Sequence, residues 1–83
     1  MMSREAITAD LMDALRYIRG EDATAPTLDM DFIKDLKMLS DDISEVILMT
    51  QDTTGIKPPI REWNKVGTLR EAVDLLLRYA PPD

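Results

Sequence analysis

The N-terminal part of the chain has apolar residues at helical spacing. They recur at steps of four, four and three residues, which places them on one face of a helix. Ser3 precedes this run, and its side chain can accept a hydrogen bond from a free N–H group of the first turn. Gly20 follows the run, so the pattern predicts a first helix over Arg4–Arg19. The residues of the apolar face are Ile7, Leu11, Leu15 and Ile18.

A segment without periodicity follows this helix. Residues Gly20–Asp29 combine glycine, proline, aspartate and threonine, and we interpret them as a long loop that connects distant helix ends. Because long ordered loops are often functional, a functional role for this loop is an alternative. A short apolar cluster comes next and predicts one helical turn that fills the core beneath the loop. Its members are Met30, Phe32, Ile33 and Leu36.

The central helix is predicted over Asp41–Thr53, with Ser40 as an alternative first residue where the preceding loop turns into it. Acidic residues in its first turn suit the positive N-terminus of a helix. Gly55 is placed to end the helix in the left-handed conformation. The inner face of the helix is apolar and should pack on the rest of the chain. This face comprises Ile43, Val46 and Ile47.

Two further helices are predicted beyond a proline pair. The segment Lys57–Pro59 forces extended backbone, and Ile60–Asn64 can form one turn that brings Trp63 inward. Thr68 and Glu71 have the spacing of a capping box, which predicts the start of a last helix. A second proline pair stops that helix. Its apolar face comprises Leu69, Val73, Leu76 and Leu77.

Three longer helices, one or two short ones and no strand signal predict an all-α bundle. The 83 residues leave no room for a second core, so we expect a single domain over residues 1–83. With 45% hydrophobic and 31% charged residues, the composition is that of a globular chain. The predicted core comprises Leu11, Leu15, Phe32, Leu36, Val46, Ile47, Trp63, Val73 and Leu76.

Composition and charge restrict the function. The chain has no cysteine, which excludes disulfides and thiolate metal sites, and no histidine, which removes the usual general base. The net charge of −6 argues against a nucleic-acid partner and favours basic protein partners. The N-terminus lacks the apolar run of a signal peptide, and no segment approaches the ~20 apolar residues of a membrane span. We therefore expect a cytoplasmic protein.

Ser40 is the candidate functional residue. Without histidine it cannot belong to a Ser-His-Asp hydrolase, and neither a GxSxG nor an SxxK motif surrounds it. If Ser40 takes part in chemistry, we expect it to accept a group that another enzyme attaches. The alternative is that Ser40 only caps the helix, a role that serine often fills.

The outer face of the central helix is acidic, and no basic residue lies between Lys37 and Lys57. A calcium site is disfavoured, because the segment lacks the alternating ligands and the central glycine of a calcium loop, and we predict no metal site. We interpret this acidic face as a docking surface for basic partners, to which an exposed Leu48 or Met49 adds an apolar contact. The acidic face comprises Asp41, Asp42, Glu45 and Asp52.

From residue 32 to residue 77 the chain resembles an acyl carrier protein. The FxxDL motif of Phe32–Leu36 is similar to the one that precedes the attachment site in this family, and Ser40 follows it at the usual interval. The remaining similarity is to specialised bacterial carriers more than to the housekeeping carriers of fatty acid biosynthesis. It rests on Gly55–Pro59, Trp63 and Val66–Thr68.

The resemblance implies a carrier of acyl groups in a small helical bundle, and not an enzyme. In this family a serine at the start of the second helix carries 4′-phosphopantetheine, whose terminal thiol holds acyl groups as thioesters. For this chain, that implies covalent attachment of the cofactor to Ser40. It also implies a monomer whose partners are a phosphopantetheinyl transferase and acyl-transferring or synthase enzymes with basic docking patches.

The sequence departs from the family at the site itself. The family has Asp-Ser-Leu, usually followed by an acid, whereas Leu39–Asp42 reads Leu-Ser-Asp-Asp. We therefore expect a dedicated transferase and a specialised lipid or secondary-metabolite pathway. Thr50 and Thr54 occupy positions that are apolar in the family, which predicts a thin core at the end of the central helix. Thr50→Leu should stabilise the fold if Thr50 is buried without a partner for its hydroxyl.

Two alternatives to the carrier function stay open. One is an unmodified interaction module of the same fold that binds a basic partner through the acidic face. The other is a structural bundle in which Ser40 is only a helix cap. The intact mass of the protein after co-expression with a phosphopantetheinyl transferase separates the carrier from both.

Overall fold

The computed structural model describes residues 2–20 and 24–81, which contain four helices and no strand. One isolated antiparallel bridge pairs Asp31 with Thr68 in this part of the chain. The prediction of an all-α bundle with three longer helices and a short one is therefore confirmed. The helices are α1 (Arg4–Arg19), α2 (Ser40–Thr54), α3 (Ile60–Trp63) and α4 (Leu69–Tyr79).

α1 has the predicted bounds, because both of its ends are set by local chemistry. Ser3 Oγ accepts a hydrogen bond of 3.1 Å from the N–H group of Ala6. Gly20 follows the last turn with a φ of +96°, which a residue without a Cβ adopts without a steric penalty. The N–H group of Gly20 donates to the Arg16 carbonyl at 2.8 Å.

α4 begins with the predicted capping box. The side chain of Thr68 accepts from the N–H group of Glu71 at 3.2 Å. In return, Glu71 Oε1 accepts from the N–H groups of Thr68 and Gly67, both at 2.9 Å. These backbone donors favour the ionised carboxylate, so they lower the pKa of Glu71 below its ordinary value.

The helices enclose a core, since α1 packs against α2 and α4, and α3 packs against α4. Eight of the nine residues predicted for the core are buried, and Ile47 is the exception. Ile47 is half-buried because it lies at the edge of its helix face, where it lines a cavity beside Trp63. The buried apolar residues outside the predicted set are Ile7, Ala14, Met38, Ile56, Leu69, Ala72 and Leu75.

The short apolar cluster forms a turn over Phe32–Leu36, but only part of the cluster faces the core. Phe32 and Leu36 are buried, whereas Ile33 is 61% exposed, so the expectation that Ile33 fills the core is wrong. Residues four apart share one face of a helical turn, and a residue one position along is rotated by about 100°. Ile33 therefore points away from the core that Phe32 enters.

The predicted loop Gly20–Asp29 lies only partly within the described residues. Residues 24–27 have neither helix nor strand, and residues 28–29 form a turn. Residues 21–23 lie outside the described residues. The prediction of a loop is confirmed for the part that the structure describes.

The segment before the turn is bound to the start of α4. The N–H group of Leu69 donates to the Met30 carbonyl, and the N–H group of Phe32 donates to the Gly67 carbonyl, both at 3.0 Å. These bonds join residues that are distant in sequence. The turn that leads into α2 is therefore fixed to the start of the last helix.

α3 is a short helix that places Trp63 in the core. The indole is buried, as predicted, and its Nε1–H group donates to Gln51 Oε1 of α2 at 3.1 Å. Because a buried indole N–H needs an acceptor, this bond sets the position of α3 relative to α2.

Candidate functional site

Asp31 organises the turn that precedes Ser40. Its Oδ1 atom accepts from the N–H groups of Ile33 at 2.8 Å and Lys34 at 3.0 Å. Its own N–H group donates to Asp35 Oδ2 at 2.7 Å. The two backbone donors stabilise the carboxylate and lower the pKa of Asp31. Asp31 therefore acts as the N-cap of this turn, with Asp35 as the reciprocal acceptor.

The turn ends at Lys37, which has a φ of +58° in the left-handed region. Its N–H group donates to the Ile33 carbonyl at 3.1 Å, as in the common left-handed end of a helical turn. The next residue, Met38, is buried, and its N–H group donates to the Phe32 carbonyl at 3.0 Å. Because Met38 faces inward and the backbone is extended, Leu39 faces outward and is 72% exposed.

Ser40 is the first residue of α2, and its side chain is exposed. The N-cap residue is Leu39, with φ of −83° and ψ of 159°. The alternative that Ser40 only caps the helix is therefore wrong. An apolar side chain cannot accept a hydrogen bond, so the N–H groups of the first turn have no side-chain cap from this position.

The acidic face of α2 is exposed except at one residue. Asp41, Glu45 and Asp52 are exposed, whereas Asp42 is half-buried, which corrects the prediction that it faces solvent. Asp42 is half-buried because it lies four residues before the buried Val46, on the side of the helix that faces the core. Among the described residues, no salt bridge involves an acidic residue of α2.

The structure shows which of Leu48 and Met49 is the exposed apolar residue predicted on this helix. Leu48 is 59% exposed, whereas Met49 is half-buried and packs against the core. Leu48 therefore lies among the exposed acidic residues, and Met49 is only partly accessible. Within residues 2–20 and 24–81, no cluster of carboxylates could hold a metal ion.

A small apolar cavity of about 120 Å³ opens between α2 and α3. Ile43 and Ile47 line it from α2, and they lie about one and two turns beyond Ser40. Trp63 lines it from α3, and Phe32 from the turn. The cavity exists because Ile47 and Ile43 are only partly covered at the edge of the core.

Comparison with known proteins decides the family. Over 78 residues the chain is 30% identical to a curated acyl carrier protein of Rubrobacter xylanophilus, and the match covers 94% of this chain and 96% of that protein. The chain belongs to the acyl carrier protein family. No protein-family model matches the chain. As an acyl carrier protein it is a carrier and not an enzyme, as predicted.

The start of α2 fits the prosthetic group of an acyl carrier protein. Ser40 presents an exposed hydroxyl at the positive end of the helix, where a phosphodiester is stabilised. Because Leu39 leaves the first-turn N–H groups without a side-chain acceptor, a phosphate oxygen can take that place. Asp41 and Asp42 oppose a phosphate by like-charge repulsion.

None of the helices in the described residues is long and apolar enough to cross a membrane.

Several features of this site had little or no signal in the sequence. The spacing of Asp31 and Asp35 around the apolar Phe32 and Ile33 was a usable signal for a capped turn. Lys37 gave no signal, because the left-handed conformation is usually marked by glycine or asparagine. Leu39 gave none either, because leucine is disfavoured as an N-cap.

Proposed function

We propose that this acyl carrier protein is modified on Ser40, to which 4′-phosphopantetheine is attached through a phosphodiester. The observation that carries this proposal is the exposed Ser40 hydroxyl at the first position of α2, four residues after the end of the FxxDL turn. When bound, the group supplies a thiol that holds acyl groups as thioesters. The chain itself has no cysteine that could do so.

The attachment uses Ser40 as the nucleophile. Its Oγ atom loses a proton and forms a bond to the phosphorus that bears the pantetheine arm. The bond from that phosphorus to the nucleotide phosphate of coenzyme A breaks, and the nucleotide leaves with the bridging oxygen. Since the chain has no histidine, we expect the transferase to supply the base that accepts the proton.

We further propose that the acidic face of α2 docks on basic patches of the transferase and of acyl-transferring or synthase enzymes. The exposed carboxylates would steer these partners by electrostatic attraction, and the exposed Leu48 would add an apolar contact. Basic residues of a partner would also offset the repulsion between the aspartates and an incoming phosphate. The proposed contact residues are Asp41, Asp42, Glu45, Leu48, Met49 and Asp52.

The departure from the family at the site supports a specialised pathway. The serine is preceded by Leu39 and followed by Asp41, where the family has an acid and a leucine. A transferase that reads this altered surface would be dedicated to it. We therefore propose a specialised lipid or secondary-metabolite pathway and a monomeric carrier in the cytoplasm.

The modification is tested by intact mass after co-expression with each phosphopantetheinyl transferase of the native host. The wild type should gain the mass of one phosphopantetheine group, and Ser40→Ala should gain none. Ser44→Ala is the matched control, because Ser44 is an exposed serine four residues along the same helix, and it should be modified like the wild type.

Two results would contradict the proposal. If Ser40→Ala still gains the mass, another residue carries the group. If the wild type stays unmodified with every transferase, the carrier function is wrong, and only the carrier-like fold survives.

A further inference from the structure

The helix that bears Ser40 is capped differently from the other two long helices of the chain. Ser3 and Thr68 cap α1 and α4 through their side-chain oxygens. At the corresponding position of α2 stands Leu39, whose side chain makes no capping hydrogen bond. Serine, threonine, aspartate and asparagine are the preferred N-caps, and replacing them with an apolar residue costs about 1 kcal/mol. The stability of α2 would therefore benefit from another residue at position 39.

Leu39 also contributes little to the core. Its side chain is 72% exposed, and it is not among the partly buried residues that pack against the buried cluster. A single exposed leucine is common on protein surfaces. Leu39, however, is unfavourable in two ways: its apolar side chain is exposed to water, and it cannot cap the helix that begins at Ser40. Such conflicts between local preference and sequence are expected at functional positions.

The direction of the Leu39 side chain is fixed by its neighbours. Met38 is buried, and its N–H group is bonded to the Phe32 carbonyl. On the other side, Ser40 begins the helix. With both neighbours held and the backbone of Leu39 extended, its Cα–Cβ bond points outward in a fixed direction. Because the backbone is already held, a partner that covers Leu39 has only the side chain left to order.

We propose that Leu39 is a specificity-determining residue for the modification of Ser40, covered by an apolar surface of the phosphopantetheinyl transferase. This inference rests on the proposed function of Ser40. The transferase must bring the reacting phosphorus to Ser40 Oγ, so it has to cover the residue next to it. Enzymes that act on the acyl group reach the far end of the prosthetic arm, and they need not contact Leu39.

The test separates recognition from stability by replacing Leu39 with a good N-cap. Leu39→Asn should restore a side-chain cap, because the backbone of Leu39 already has the extended conformation of N-cap residues. We expect the Tm to rise by about 4–8 °C. The kcat/KM for modification should nevertheless fall about tenfold or more, mainly through KM, because the buried apolar contact is lost.

Three further variants complete the experiment. Leu39→Ala removes the apolar side chain without adding a cap that competes with the phosphate for the first-turn N–H groups, so its kcat/KM should fall as that of Leu39→Asn does, and an unchanged value would contradict the role of Leu39. Leu39→Met keeps a side chain of similar volume and should retain kcat/KM within about threefold. Tyr17→Asn is the control for loss of an exposed apolar side chain, because Tyr17 is 76% exposed on α1, and its kcat/KM should equal that of the wild type. The rates are measured by intact mass against time with coenzyme A and the transferase of the native host, and the Tm by circular dichroism.

The outcomes distinguish this inference from the proposed function. If the wild type is modified and Leu39→Asn is modified with the same kcat/KM, the role of Leu39 is wrong and Ser40 remains the site. If Leu39→Asn lowers both the Tm and the kcat/KM for modification, the role of the leucine is structural and the inference is equally wrong. If the wild type is not modified at all, the proposed function fails together with this inference.

Discussion

Thr50 is the one polar residue buried among the described residues, and its hydroxyl is satisfied. Its Oγ1–H group donates to the Val46 carbonyl at 2.8 Å, one turn back along α2. Thr54 repeats this arrangement with the Thr50 carbonyl, also at 2.8 Å. The condition under which Thr50→Leu was expected to stabilise the fold is therefore not met, because the hydroxyl has a partner.

We now expect Thr50→Leu to be destabilising and Thr50→Val to be nearly neutral. Valine keeps the shape of threonine, and the Val46 carbonyl keeps its helical N–H donor, so the free energy of unfolding should change by less than about 1 kcal/mol. Leucine adds volume at a closely packed position, which typically costs about 1–3 kcal/mol. Urea unfolding of the three proteins measures both changes. A more stable Thr50→Leu protein would reveal unfilled space at the end of α2.

The two ends of α2 differ in how their backbone groups are capped. Its start has no side-chain cap, whereas its end has Gly55 with a φ of +74° and an N–H group bonded to the Gln51 carbonyl at 2.8 Å. A Cβ atom added to Gly55 would have no heavy atom within 4 Å. The role of this glycine is therefore conformational and does not depend on close packing.

Gly55→Ala should lower the free energy of unfolding by about 1–2 kcal/mol, because alanine resists the left-handed conformation. This corresponds to a fall in Tm of at least about 4 °C. Gly55→Asn is the matched variant, and it should recover part of the loss because asparagine tolerates this conformation better. Thermal unfolding measures both. Equal losses for alanine and asparagine would argue that a clash, and not the backbone conformation, causes the effect.

The helix ends that follow local chemistry were the predictable part of the fold. Ser3, Gly20 and the Thr68–Glu71 pair act within a few residues of their own position, so their effect can be read from sequence order. α2 begins at Ser40, the alternative first residue, and ends at Thr54, one residue beyond the predicted Thr53. The N-cap of α2 is Leu39, and a leucine gives no local signal for the start of a helix.

The place of Ser40 in the fold was predictable, and its surroundings were less so. The interval from the FxxDL motif predicted Ser40 at the start of the central helix, and α2 begins there. The bonds between Met30 and Leu69, and between Phe32 and Gly67, join distant parts of the chain and had no local signal. They anchor the turn before Ser40, so the precise presentation of the serine depends on contacts that only the folded chain has.

The charge distribution of the whole molecule gives a test of the proposed docking face. Glu45→Lys and Asp52→Lys should each weaken binding to the transferase about two- to tenfold, since each loses an exposed attraction and adds a repulsion. Glu5→Lys is the matched control, because it changes the net charge equally at an exposed position of α1 and should have a smaller effect.

The salt dependence of this affinity is the second measurement. Exposed charges are screened beyond about 10 Å at 0.1 M salt, so added salt should weaken binding of the wild type and reduce its advantage over Glu45→Lys. Titration of the transferase at several salt concentrations measures this. An affinity that is independent of salt, or a Glu5→Lys effect as large as that of Glu45→Lys, would count against the acidic face of α2.

Two carboxylates lie close together where the turn before Ser40 meets the start of α4. A Cβ atom placed on Gly67 would lie 3.0 Å from Asp31 Oδ2 and 3.4 Å from Glu71 Oε1, so both side chains crowd the same backbone. Both accept hydrogen bonds from backbone N–H groups, which lower the pKa of each below its ordinary value of 3.8 for Asp31 and 4.5 for Glu71. Each carboxylate is therefore more acidic in the folded chain than in the unfolded one.

This difference predicts how stability depends on pH. A group whose pKa is lower in the folded state stabilises the fold above its unfolded pKa, and that stabilisation is lost as the pH falls through the folded pKa. The contributions of Asp31 and Glu71 should therefore be complete at pH 7 and should decline below about pH 4.5. Protonation of the other acids acts in the opposite direction, because it reduces the self-repulsion of a chain with a net charge of −6.

A variant isolates the effect of the two carboxylates from that of the net charge. Asp31→Asn/Glu71→Gln keeps side-chain oxygens that can accept from the same N–H groups, but it cannot titrate. We expect this variant to be less stable than the wild type at pH 7, and the difference in the free energy of unfolding to shrink between pH 5 and pH 3. Urea unfolding at each pH measures it. A constant difference over this range would mean that the effect does not come from the ionisation of Asp31 and Glu71, because a contribution from their ionisation must shrink as both become protonated.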